Sequence, residues 1–436
     1  MQREVLIISP YFPPSQLAGV HRSRHLAKHL PKTGWRPVVL CVDEQDHEQR
    51  LDFELARLVP SETNIVKVPA LPLVLTRSFG VGDISLRAFW SMKNALTQIV
   101  RSRPIELVMI TAAPNYHLLL APLIRTKLGL PVVIDFQDPW VSNWGAMQEP
   151  WSKAGMSHQL AKLLESKVLR AASWITSVSE RQNEEMLLRR PWLDRSRITA
   201  IPIGGDPDDF IMADRLYASI PTKQKAGDQI NINYVGSYWP AVEPTLRLLL
   251  RSLELLRARS PSLAQRLKVN FIGTDSTSIG ARPSVFPLAQ QEGVDGLVTE
   301  MPQRLPYLQA IASLRQADGL LLLGSDEPHY TASKIYSALM SERPYLSIYS
   351  SESSAHAILK QAGGGIALSF DNRYQLENMD SLVSNALYDL ATKPEALGRA
   401  NSLTYATYKA ARIAERFAEI FERVTLSPRA LVCGDV

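Results

Sequence analysis

Short apolar runs alternate along the whole chain with longer stretches whose apolar positions recur every third or fourth residue. The first pattern predicts strands buried on both faces; the second predicts helices packed against them. In the first half, Val5 to Ser9, Val38 to Val42, Ile65 to Val68, Leu107 to Ile110, the run opening at Val132, Ile175 to Ser179 and Ile198 to Ile203 read as strands. Helices fill the intervals, running to about Leu30, through Phe89, Met92, Leu96, Ile99 and Val100, up to Leu128, and across Leu160, Leu163, Leu164 and Leu169. The second half repeats the pattern. Strands are expected at Ile230 to Val235, Val269 to Ile272, Leu320 to Leu323, Tyr345 to Tyr349 and Ile366 to Ser369, and helices at Thr245 to Arg257, Leu305 to Arg315 and Lys334 to Ser341. Pro344 stops the last of these before the next strand. Such β/α alternation implies two parallel-sheet domains with right-handed crossovers.

Length agrees with that division, because 436 residues exceed what one ordinary core organises. The polar stretch Ala218 to Gln229 reads as the linker. The expected domains are therefore 1–217 and 230–405, joined by 218–229 and followed by a last helix and tail over 406–436. Hydrophobic residues at 45% and charged ones at 21% exclude disordered and fibrous classes. A surplus of 48 basic over 43 acidic residues suits nucleotides or anionic lipid, and no basic run interleaved with aromatics calls for nucleic acid. Cys41 and Cys433 stand at opposite ends, so neither a disulfide framework nor a zinc spacing is present. With a strand at the outset and no run long enough to span a bilayer, the expected location is cytoplasmic.

Strand ends carry the candidate chemistry, since open α/β sheets bind ligands outside the carboxyl ends of their strands. The turn Gly324 to Ser333 joins a buried strand to a helix start, where Lys334 adds a cation and Thr331 and Ser333 can cap the helix or bond a phosphate oxygen. It can equally be a capped structural helix with a solvated lysine. Gly19, after Val5 to Ser9, gives backbone room near a ligand, with His21, Arg22 and Arg24 one turn on. His117 opens a helix at the same sheet edge, as a sugar contact or as a cap. Asp135 and Asp138 end the fifth strand, where carboxylates hold hydroxyl groups or merely close an Asx turn. Lys153, Lys162, Lys167 and Arg170 beside Trp151 make a basic amphipathic helix, which can lie on anionic lipid or present an ordinary wet face.

Several of these stretches resemble one family. Tyr330-Thr331-Ala332-Ser333-Lys334-Ile335-Tyr336 with Arg343-Pro344 resembles S-K-x-x-E-Y…G-K-P of the retaining group 1, or family-four, glycosyltransferases. Pro10-Tyr11-Phe12-Pro13-Pro14 through Gly19, Asp135-Phe136-Gln137-Asp138-Pro139-Trp140, Ile203-Gly204-Gly205-Asp206-Pro207 and Val235-Gly236-Ser237-Tyr238 resemble its other motifs. The resemblance implies a GT-B fold, two Rossmann-like domains facing across a cleft, and transfer of a sugar from a nucleotide diphosphate sugar to a hydroxyl with retention. It implies neither a cofactor nor an obligatory metal. Gly19, Arg22, Gly236, Ser237, Thr331, Ser333 and Lys334 then attend the diphosphate, His329 falls where the family often carries a carboxylate, and Ser337 takes the place of its ribose-binding glutamate. Asp138 and His117 orient sugar or acceptor, and Lys334 stabilises the leaving diphosphate. Ser237 and Val242 stand where the family carries arginine and lysine, so a lapsed scaffold is the alternative, and a sugar-nucleotide epimerase or hydrolase a further one. Bacterial polysaccharide or glycolipid assembly, with a saccharide or lipid-linked acceptor and peripheral membrane contact, is the implied setting.

Overall fold

A computed structural model describes residues 3–112, 114–217, 228–275, 280–325 and 333–426. The chain forms two compact units, Met1–Ile203 with Ala410–Val436, and Gly204–Lys409.

The sheet of the first unit contains β1 (Arg3–Ile8), β2 (Trp35–Val42), β3 (Asn64–Val68), β4 (Ile105–Thr111), β5 (Val132–Phe136), β6 (Trp174–Ser177) and β7 (Ile198–Ala200). All pairings are parallel, in the order β3-β2-β1-β4-β5-β6-β7. The strand period of two shares out their apolar residues between faces. Leu6 and Ile8 pack with Met92, Leu96 and Ile99 of helix Phe89–Ser102, whereas Val5 and Ile7 pack with Leu26, Trp35, Ile413, Phe417 and Phe421. Helix Ala410–Leu426 thus completes a core that starts at Val5.

The second unit has β8 (Ile230–Val235), β9 (Leu267–Ile272), β10 (Val298–Met301), β11 (Gly319–Leu323), β12 (Tyr345–Ser350) and β13 (Gly365–Phe370), again parallel, in the order β10-β9-β8-β11-β12-β13. Both sheets reverse their strand order beside the strand that opens them. The switch points lie between β1 and β4 and between β8 and β11.

The boundary between units differs from the expected linker. They part at Ile203 and Gly204, because helix Pro207–Tyr217 belongs to the second core. Phe210 and Ala213 are buried there, Tyr307 donates to Asp209 at 2.9 Å, and Arg315 pairs with Asp214 at 2.6 Å. Of Gly363 to Gly365, the last two serve packing. A Cβ on Gly364 would come within 2.1 Å of the Ala400 nitrogen and one on Gly365 within 2.5 Å of the Tyr345 carbonyl oxygen. Among the described residues no helix is long and apolar enough to cross a membrane.

Candidate functional site

In the second unit the switch point brings a lysine against a strand-end turn. Gly236 follows β8 with φ +139°, and its N–H donates to Ile272 while that of Tyr238 donates to Thr274, at 2.8 and 2.7 Å. The turn is thereby fixed beside the end of β9, where the Ser237 carbonyl serves as an acceptor. Lys334 Nζ donates to that carbonyl at 3.0 Å, as does the Tyr234 hydroxyl, and the ammonium lies 5.2 Å from the Tyr234 ring centre. Glycine is required here for space as well as backbone, since a Cβ on residue 236 would sit 2.2 Å from both Cε and Nζ of Lys334. Gly236→Ala should push the ammonium from its seat and strain the turn by about 1–3 kcal/mol. We expect roughly tenfold weaker nucleotide binding by calorimetry.

Burial, and then the positive charge of Arg304, push Lys334 down to about 8. Among the described residues no carboxylate forms an ion pair with it. A cation with one carbonyl partner and a second cation nearby is an environment suited to an anion. Arg304 was not singled out by sequence reasoning, because nothing local marks it. Its turn is secured through β9, where Gly273 donates to Met301 at 2.8 Å and Asp275 to Pro302 at 3.0 Å.

The family's other basic positions are explained by packing. Val242 is 1% exposed in the core, and Ser237 contributes its carbonyl to the lysine. Ser333 caps the helix start by position only, without a side-chain bond, and is exposed; helix Lys334–Met340 is a short one. Ser337 is half-buried one turn further on. His329 and Thr331, with Asp326 and Glu327, lie outside the described residues.

The switch point of the first unit is lined with neutral groups. Thr111 donates to the Ser9 hydroxyl at 3.1 Å, and Ser9 donates to the Tyr11 carbonyl at 2.7 Å. His117 is fully buried and donates from Nε2 to the Thr111 carbonyl at 2.9 Å. Burial pushes it down to about 3, so the ring is neutral near pH 7 and Nδ1, which has no partner among the described residues, can accept one hydrogen bond. Asp138 is exposed, yet partial loss of hydration raises its carboxyl above the usual range.

Arg22 and Arg24 correct the sequence expectation. The start of the helix allows both to face a cleft and the resemblance sets Arg22 at the diphosphate, yet both are fully buried. Arg22 Nε pairs with Asp135 at 3.0 Å, its terminal nitrogens donate to the carbonyls of Ile201 and Pro202, and its guanidinium lies 5.0 Å from the Phe417 ring centre. Asp135 is completed by the Thr176 hydroxyl at 2.7 Å, so the first acid of the strand-end motif is a core residue. Arg24 donates to Nε2 of His25 at 2.8 Å and contacts Nδ1 of His21 at 3.3 Å. Gly19 has an ordinary φ of −60°, and its carbonyl accepts from Gln137 at 3.2 Å. It therefore needs no glycine-specific conformation.

Residues 18–204 match the family model described as "Glycosyl transferase 4-like domain". Solved structures similar to the whole chain include that of HepE from Anabaena in complex with UDP, at 11% identity and TM-score 0.61, covering 97% of this chain and 100% of that one. A UDP-forming α,α-trehalose-phosphate synthase from Burkholderia vietnamiensis is similar at 14% identity and TM-score 0.63, with 97% and 99% covered. A glycosyltransferase from Rickettsia africae is similar at 15% identity and TM-score 0.61, with 98% and 99% covered. Comparison with curated proteins finds no match.

Proposed function

From a chain with the GT-B fold whose residues 18–204 form a glycosyl transferase 4-like domain, we propose a glycosyltransferase that moves a sugar from a nucleotide diphosphate sugar to an acceptor hydroxyl with retention. The observation that carries this reading is the Lys334 ammonium, held at the second switch point without a carboxylate partner among the described residues. Lys334 and Arg304 face the diphosphate, and Ser337 takes the ribose side. As the bond from the anomeric carbon to the diphosphate breaks, negative charge gathers on the leaving oxygen, and a cation already in place stabilises it without reorganisation. The acceptor oxygen forms the new bond and its proton passes to the departing diphosphate. Asp138 orients sugar or acceptor hydroxyls, and His117, buried against the Thr111 carbonyl, holds the turn beneath them. No metal is required in this scheme. UDP is the favoured nucleotide, because Anabaena HepE has been solved with UDP and with UDP-glucose. Polysaccharide or glycolipid assembly in the bacterial cytoplasm is the proposed setting. Incubation with individual nucleotide sugars, with and without saccharide acceptors, tests the proposal through nucleotide release, which is expected to depend on acceptor and to persist in a chelator.

A lapsed scaffold is the second reading, supported by the burial of Val242 where the family places a cation. It predicts no saturable heat with any nucleotide sugar.

The lysine also sets a pH dependence. Free protein should bind nucleoside diphosphate less tightly as pH rises through about 8, where Lys334 loses its proton. Stability should move the other way. Below about 8 the lysine is charged in both states and folding bears the cost of burying it; from there to 10.5 the unfolded chain binds more protons, so stability rises with pH. Calorimetry at pH 7 and pH 9 checks the first effect and denaturant titration the second; flat affinity across that interval would contradict the assignment.

A further inference from the structure

The amino ends of β6 and β7 open onto a groove of about 330 Å³. Because every strand of this sheet runs the same way, the groove lies at the opposite edge from His117 and Asp138, which follow carboxyl ends. Its floor is the margin of the core, where Ile175 and Ile198 are each 3% exposed. Trp174 and Trp192 wall it. The Trp174 ring is fixed by its indole N–H, which donates to the Thr199 hydroxyl at 3.1 Å. Trp192 belongs to the loop that leads to β7, and the Arg170 guanidinium stacks 4.3 Å from its ring centre. One side of that indole is thus held by a cation, while 42% of the residue stays open to solvent. Two indoles over an apolar floor suit a ligand with a flat apolar face.

Polar groups at the lip narrow the ligand further. Asp194 Oδ1 accepts from the Ser196 N–H at 2.9 Å and from its hydroxyl at 2.7 Å, while Oδ2 pairs with Arg197 at 3.4 Å. The Ser196 bonds hold the carboxyl below its usual range, so it stays an acceptor near neutral pH. Beyond that long ion pair Oδ2 can take another donor, and Arg170 makes no hydrogen bond among the described residues. A fixed acceptor and several donors around an aromatic surface match a ring with carbon-bound hydrogens on its face and hydroxyls along its edge. We infer that this groove is a saccharide-binding subsite remote from the transfer centre, with a sugar ring against Trp192 and its hydroxyls shared among Asp194, Arg170 and Arg197. An anionic ligand is disfavoured, since Asp194 repels it and already engages Arg197. Saccharide capture here needs neither a donor nor Lys334, and so goes beyond the transfer reading.

Saturation-transfer NMR and calorimetry on the full chain, without nucleotide, test this with maltohexaose, cellohexaose, mannohexaose and chitohexaose. At least one should bind saturably. Trp192→Ala and, separately, Asp194→Asn should each weaken that binding by about tenfold or more, whereas Trp192→Phe, which keeps an aromatic face, should retain most of it. Melting temperatures should match wild type, because Trp192 and Asp194 lie at the surface and the asparagine keeps an oxygen for Ser196. No saturable binding by any of the four, or binding that both Trp192→Ala and Asp194→Asn leave within twofold of wild type, overturns the proposal. So does adenosine monophosphate binding that Trp192→Ala abolishes while the saccharides fail, which makes the groove a site for an aromatic anion. With nucleotide sugar absent, these outcomes stand whether or not the chain transfers sugar, which nucleotide release decides on its own.

Discussion

Lys334→Ala is expected to slow sugar transfer by about a hundredfold and to weaken donor binding roughly tenfold. A charge-assisted hydrogen bond contributes about 1.5–3 kcal/mol. A preorganised group that meets charge developing in the transition state is worth about 2.7–4 kcal/mol in the rate. The lysine has no ion-pair partner among the described residues to compensate for its burial, so folding gains nothing evident from its charge. Removal should therefore leave the melting temperature unchanged or raise it, and Lys334→Met, which keeps the stem, should behave alike. Loss of activity with stability retained is the mark of a residue kept for its ligand. Steady-state kinetics beside thermal melts decide the matter. Transfer within twofold of wild type would remove Lys334 from the site.

The largest effect on stability is expected at Arg22. Arg22→Met leaves Asp135 charged, buried and short of its counterion, which costs about 3–5 kcal/mol and lowers the melting temperature on the order of 10 °C. The carbonyls of Ile201 and Pro202 lose their donors as well. Adding Asp135→Leu should restore part of that loss, because no lone charge then remains in the core. Denaturant titration of the two single variants and the double variant measures the coupling. An Arg22→Met protein as stable as wild type, with weakened donor binding, would return Arg22 to the ligand.

The sequence disclosed most where the local signal was strong. The parallel strand β11 is an unbroken apolar run, and the turn after it lies at a switch point because the strand order places it there. Lys334 was legible because a strand end, a helix start and a cation fall within one short stretch. Arg22 was not, since a buried arginine and a ligand-facing one look alike in a sequence, and its carboxylate partner lies 113 positions away. Arg304 was missed for the same reason: its proximity to Lys334 is created by the pairing of β8, β9 and β10, and β10 is too short and polar to announce itself. The unit boundary was misplaced because a polar stretch attracts the eye, whereas helix Pro207–Tyr217 is assigned by its contacts with residues a hundred positions later.

The path of the chain also fixes an order of birth. Residues 204–409 form a continuous piece that can close as soon as it leaves the ribosome. The earlier-made sheet must wait, with Leu26 and Trp35 bare, for Phe417 and Phe421, which are synthesised after the whole second unit. The half made first is thus the half finished last, and a ribosome that stalls before residue 410 leaves an intact second unit attached to a first unit whose apolar face is open to chaperones and proteases.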